Sequence, residues 1–143
     1  MREAFYAAAG QGYQRAWAVF SGQTDLRWLR LLLRSGFRHC FVVIHDGARW
    51  ILIDPLASYT DIAVQPVAPD FDLPGWLAAR GYRVVPAPLC RNCRKQAPAM
   101  IYSCVEAVKR VLGVHKRGIV TPWQLYRYLT EQNRQKGSVL WEV

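Results

Sequence analysis

Apolar positions along this chain fall into short blocks separated by Gly, Pro and Asp. Phe5 to Phe20 is apolar over most of its length and reads as a helix ended by Ser21-Gly22. Asp25 to Leu33 sets Leu26, Leu29, Leu32 and Leu33 on one helical face, with a stop at Ser35-Gly36. Two apolar segments, Phe37–His45 and Arg49–Pro55, then flank Asp46-Gly47, a dipeptide that signals a tight hairpin between strand-forming runs. Ile62–Val67 has strand composition. Leu73–Arg80 reads as a short helix closed by Gly81, and Tyr82–Pro86 as a further strand.

Two later stretches carry helix-start chemistry. Ser103-Cys104-Val105-Glu106 has the capping-box pattern, with Ser103 as the N-cap and the Glu106 carboxylate reaching back from N3. Val105, Val108 and Leu112 continue that helix to a stop at Gly113, with Lys109 and Arg110 in its last turn. Thr121-Pro122-Trp123-Gln124 repeats the logic with Pro at the first helical position. Ser138–Val143 reads as a closing strand. Helices and strands in this order predict an α+β fold in which helices pack on a mostly antiparallel sheet. No repeat or long linker divides the 143 residues, so a single domain, 1–143, is expected, with N-terminal helices in 1–36 and the core in 37–143.

Composition narrows the class. An apolar fraction of 52%, with six Trp, seven Tyr and five Phe, supplies enough buried surface to exclude a disordered chain. Phe41–Ile44 and Trp50–Ile53 fall far short of the ~20 apolar residues that a membrane span needs. The first residues lack a secretory apolar core, which predicts the cytoplasm of the producing cell or a virion. The net charge of +9 is concentrated late: Cys90 to Lys136 holds ten basic residues and two acidic ones. Such a segment attracts polyanions or stays a solvated face. Arg91, Arg94, Lys95, Lys116 and Arg117 with Trp123, Tyr126 and Tyr128 would be its nucleic-acid contacts, yet no nucleic-acid-binding signature accompanies them.

Cys104 is the first candidate for chemistry. Behind a Ser103 cap it occupies N1, where unpaired amides and the positive end of the helix dipole favour the thiolate. A helix cysteine is ordinarily a packing residue, so a partner base decides its role. The hairpin supplies one. A two-residue loop at Asp46-Gly47 pairs residues whose numbers sum to 93, which sets His39 opposite Asp54 on one face, base against orienting acid. A slip by one residue would part them. His45 reads as a turn-flanking residue and His115 as a loop residue among Lys116 and Arg117. Cys90-Arg91-Asn92-Cys93 has the spacing of half a metal site, for which only Cys40, Cys104 and the histidines remain as further ligands. Zinc held through Cys104 and His115 would remove the nucleophile. No cofactor is otherwise called for.

A histidine-first strand, an antiparallel strand ending at Asp54, and a later helix opening with Tyr102-Ser103-Cys104-Val105-Glu106 resemble the circularly permuted NlpC-type papain-like cysteine hydrolases, which include relatives of lecithin:retinol acyltransferase. Gly113 and then Thr121-Pro122-Trp123-Gln124-Leu125 resemble the downstream pattern of bacterial permuted members. The resemblance covers Phe37 to Leu129. It implies a permuted papain-like fold, with Cys104 as nucleophile, His39 as base and Asp54 as the third polar residue, a position that is often His, Asn or Gln in that group. It implies a thiol hydrolase, peptidase or acyltransferase acting on peptide, glycopeptide or lipid-ester substrates, with peptidoglycan peptides favoured by the basic charge and a phage origin by the missing leader. The alternative expectation is a non-catalytic component of a virion or other assembly, bound to partner proteins through the same scaffold.

Overall fold

Alternation, not helical periodicity, governs the first described segment. The computed structural model describes residues 15–23, 29–89 and 99–139. Arg15–Ser21 is strand β1, where a helix from Phe5 to Phe20 was expected; residues 5–14 lie outside the described residues. Ala16, Ala18 and Phe20 face one layer of the core, while Trp17 and Val19 face the other. Because both faces are covered, no polar residue marks the period of two, and the strand is hidden in a continuous apolar run.

Strands β2 (His39–His45), β3 (Trp50–Pro55), β4 (Thr60–Val64) and β5 (Arg83–Ala87) complete a sheet of order β4-β3-β2-β1-β5. Every pairing is antiparallel. β1 pairs with β2 from Arg15↔His45 to Ser21↔His39, and with β5 on its other side. The sheet therefore crosses the expected boundary at residue 36, with the strand of the N-terminal part lodged inside the core.

The remaining elements are α1 (Leu29–Leu32), α2 (Leu73–Ala79), α3 (Cys104–Leu112) and α4 (Pro122–Val139). The helix expected from Asp25 is thus a single turn among the described residues, and Leu32, assigned to a shared apolar face, is exposed. Helix α2 closes one face of the sheet, packing Leu73 and Leu77 on Val19, Phe41, Val43 and Trp50. Helices α3 and α4 close the other. Val105, Val108 and Leu112 of α3 are almost fully buried, each worth ~1.5–3 kcal/mol as an upper estimate. Leu125 and Leu129 of α4 share that layer.

The expected N-caps are present at both long helices, though only α4 closes the full box. The Ser103 Oγ accepts the Glu106 N–H at 3.2 Å, and Gly113 (φ 75°) ends α3 in the left-handed conformation. At α4 the box is reciprocal: Thr121 Oγ1 accepts the Gln124 N–H at 3.3 Å while Gln124 Oε1 accepts the N–H groups of Val120 and Thr121, both at 3.0 Å. Ser138 and Val139 belong to α4, not to a closing strand, and 140–143 lie outside the described residues. Among the described residues no helix is long and apolar enough to cross a membrane.

Candidate active site

The hairpin brings His39 and Asp54 together by a route that differs from the expected register. The observed pairs run from Val42↔Ile53 to His45↔Trp50, so paired numbers sum to 95. The loop holds four residues, Asp46 to Arg49. Asp46 Oδ1 accepts the N–H groups of Ala48 (2.8 Å) and Arg49 (2.6 Å), the Asp46 N–H donates to the Arg49 carbonyl at 3.1 Å, and Gly47 takes φ 101°. Those two amide bonds also hold the Asp46 carboxyl below its ordinary pKa. The register thus moves by two residues, and an even slip leaves every side chain on its original face. Extending the register one step beyond Val42↔Ile53 sets Asp54 opposite Phe41, with His39 its diagonal neighbour on the same face. The His39 Nε2 and Asp54 Oδ1 stand 2.6 Å apart, a charge-assisted distance. Phe41 lies beside the imidazole with centroids 6.3 Å apart.

Cys104 reaches this pair from above the opposite face. It is the first residue of α3, the helix that lies across β2 and β3. Cys104 is half-buried and packs against the cluster that contains Cys40, with His39 and Cys40 the groups that act on its sulfur. Since Nε2 is committed to Asp54, Nδ1 is the ring nitrogen left for the sulfur. Glu106 N–H is taken by Ser103, so Cys104 and Val105 contribute the first-turn amides without an intrahelical partner.

These contacts set the charges. The Cys40 thiol donating to the sulfur is the strongest influence on Cys104. Burial opposes it, and the His39 hydrogen bond, the Cys40 amide and the imidazolium charge bring the thiol down to about 5. For His39, burial pushes the pKa down, but hydrogen bonds to Asp54 and Cys104, with their negative charges, outweigh it and raise the ring to about 9. Between those values Cys104 is a thiolate and His39 an imidazolium. The Cys40 thiol goes the other way: burial first, then the neighbouring thiolate, pushes it well above the ordinary range. The His39 and Asp54 side chains retain access to solvent, 18% and 24% exposed. A thiolate at a helix mouth, beside a proton-bearing imidazole, can attack a carbonyl and return the proton to the leaving group.

Other polar residues are otherwise engaged. His45 accepts the Gly47 N–H at Nδ1 (3.1 Å), so Nε2 carries a proton to the Pro69 carbonyl at 2.9 Å. It braces the turn. His115 follows the C-cap of α3, a helix-length of ~12 Å from the Cys104 end, so the zinc arrangement joining those two residues does not form. Glu106 does not reach back to its own cap. Its carboxylate accepts from Lys109 Nζ at 3.2 Å and from Arg110 Nε at 3.1 Å, and the Lys109 ammonium also donates to the Ile119 carbonyl at 3.2 Å. Burial opposes the Glu106 charge, yet these two cations lower its pKa. Trp123 and Tyr126 stack on each other and pack on Phe37, and Lys116 sits over Tyr128, so these rings are engaged within the protein. Cys90 and Cys93, with Arg91, Arg94 and Lys95, lie outside the described residues.

Sequence reasoning missed Cys40. The signal was its place beside His39, since adjacent strand residues point to opposite faces and α3 covers the Cys40 side. Comparison with protein-family models, with curated proteins and with solved structures found no match.

Proposed function

We propose that this protein is a thiol hydrolase or acyltransferase on a permuted papain-like scaffold, acting on amide or ester carbonyls. One observation carries the reading: the His39 ring stands 2.6 Å from the Asp54 carboxylate at the start of the strand that α3 covers, and Cys104 opens that helix. Strand before cysteine helix is the order of the permuted group, and the antiparallel sheet with α3 laid across β2 and β3 is compatible with it.

The chemistry follows from the charges. Cys104 Sγ attacks the carbonyl carbon, and a C–S bond forms as the carbonyl π pair moves onto oxygen. The Cys104 and Val105 amides point at that developing charge. The C–N or C–O bond then breaks, and the leaving group takes the proton from His39 Nδ1, giving an acyl-thioester. Water or another acceptor, deprotonated by the now neutral ring, releases the acyl group and restores the thiol pair. Asp54 holds the ring orientation and favours the imidazolium throughout. Peptidoglycan peptides are the first natural substrates to offer, because a chain of charge +9 is drawn to an anionic wall.

The test is acylation of the protein by p-nitrophenyl acetate at pH 7. A stoichiometric burst of nitrophenolate, with acetyl mapped to Cys104 by mass spectrometry, is expected. Cys104→Ala should lose it by a factor on the order of 10⁴ or more. Acetylation of Cys104 no faster than that of a free cysteine peptide would overturn the proposal.

A further inference from the structure

Two adjacent residues, His39 and Cys40, lie at the start of the strand that α3 covers, and Cys104 at the head of α3 packs against the cluster holding Cys40. His39 and Cys40 open strand β2, and alternation sends their side chains to opposite faces of the sheet. Asp54 holds the imidazole from the β3 side. The thiol of Cys40 enters the layer under α3, where Cys40 is fully buried in a cluster with Phe20, Phe37, Val42 and Val105, and Cys104 packs against that cluster.

We propose that Cys40 is a positioning residue for the nucleophile, its buried Sγ–H and its backbone N–H holding Cys104 Sγ beside the His39 ring. This rests on Cys104 being the reactive thiol of the proposed hydrolase. A valine at this position would fill similar space among Phe20, Val42 and Val105, but it would offer no side-chain donor. A thiol is a weak donor to a neutral partner; against an anion its hydrogen bond becomes charge-assisted. Burial keeps Cys40 protonated, so it serves as donor and not as a second nucleophile. Its location, sealed from solvent, gives the thiolate one dry, fixed side while the other stays open to substrate. The imidazole is then spared the whole task of stabilising the anion and keeps its proton for the leaving group.

The experiment is the pH dependence of alkylation by iodoacetamide, read at the Cys104 peptide by mass spectrometry, in the natural chain, Cys40→Ala and Cys40→Ser. Loss of the donor in Cys40→Ala should raise the midpoint by about one pH unit, roughly a tenfold loss of thiolate on the acid limb. Cys40→Ser, which keeps an O–H, should restore most of it. A midpoint unchanged in Cys40→Ala overturns the assignment. A second measurement leaves the core residue intact: the infrared S–H stretch of Cys40 should be broadened and lowered in the natural chain and move up in Cys104→Ala. An S–H band indifferent to Cys104→Ala also overturns it. Neither readout needs a substrate, so a chain with the shifted midpoint but no acyl turnover would sink the hydrolase reading and leave the Cys40 contact standing.

Discussion

Helix α3 carries two polar clusters a single turn apart, and they have opposite designs. At its mouth, Cys104 joins His39 and Asp54 from the β2–β3 hairpin, and the side chains stay partly open to solvent. One turn on, Glu106 and Lys109 are 5% and 1% exposed, and their charges are consumed by each other, by Arg110 and by the Ile119 carbonyl. The second cluster is closed: it ties α3 to the loop before α4, and nothing in it is left to react. The first has a half-buried sulfur with a proton-bearing ring among its neighbours. Full satisfaction with burial makes a structural ion pair, whereas partial exposure with unequal proton affinities makes a reactive one.

The largest test of this contrast falls on the closed cluster. Glu106→Ala leaves the Lys109 ammonium buried without its carboxylate and should cost ~3–5 kcal/mol of stability. Urea denaturation would measure it. Below the new midpoint, Cys104 alkylation should keep its natural pH dependence. A double Glu106→Leu, Lys109→Met variant should recover most of the loss, since the pair's removal takes its desolvation cost with it. If instead Glu106→Ala alters the alkylation profile of still-folded protein, the two clusters are coupled and the comparison fails.

Asp54→Asn probes the open cluster. Its fold should hold, because the residue is at a strand end and a quarter exposed, while turnover of p-nitrophenyl acetate should drop by about 10²-fold, less than for a serine triad because the thiolate is already formed. The natural protein should show a bell-shaped profile. Activity is lost below about 5 as Cys104 takes up a proton, and lost above about 9 as His39 gives its proton away. Without the Asp54 carboxylate, the support that raised His39 is gone, so the alkaline limb should move down. An unmoved alkaline limb would show that Asp54 does not govern the ring.

The smallest effect is expected at the cap that both clusters share. Ser103→Ala removes the bond to the Glu106 N–H and should cost ~1 kcal/mol in thermal stability. The midpoint of Cys104 alkylation should hardly change, because the sulfur's partners come from β2. A large rise in that midpoint would instead assign the thiolate to the helix start.

What was legible followed from local chemistry. The caps of α3 and α4, the αL glycine at Gly113, and the pairing of two strands around Asp46-Gly47 each depend on a few contiguous residues. His39 and Asp54 met although the loop was misread as two residues, because face assignment depends only on parity. Parity is robust; register is not. The errors have the opposite character. β1 was read as helix because its Ala, Val and aromatic residues are buried on both faces, so periodicity, the primary signal, was erased by neighbours distant in sequence. The Glu106 carboxylate left its expected capping bond because Lys109, desolvated beneath Ile119, drew it away.

By itself, then, the order of residues determined the helix that begins at Cys104, the hairpin bearing an imidazole and a carboxylate on one face, and the absence of a long apolar helix among the described residues. Tertiary structure alone decided that β1 lies between β2 and β5, and that α3 comes down over the start of β2. It also decided that Cys104 packs against the cluster holding Cys40. The physical reason is range. Capping, turns and alternation act within a few bonds of the chain, whereas the charge on a sulfur depends on which distant groups packing brings within a few ångströms.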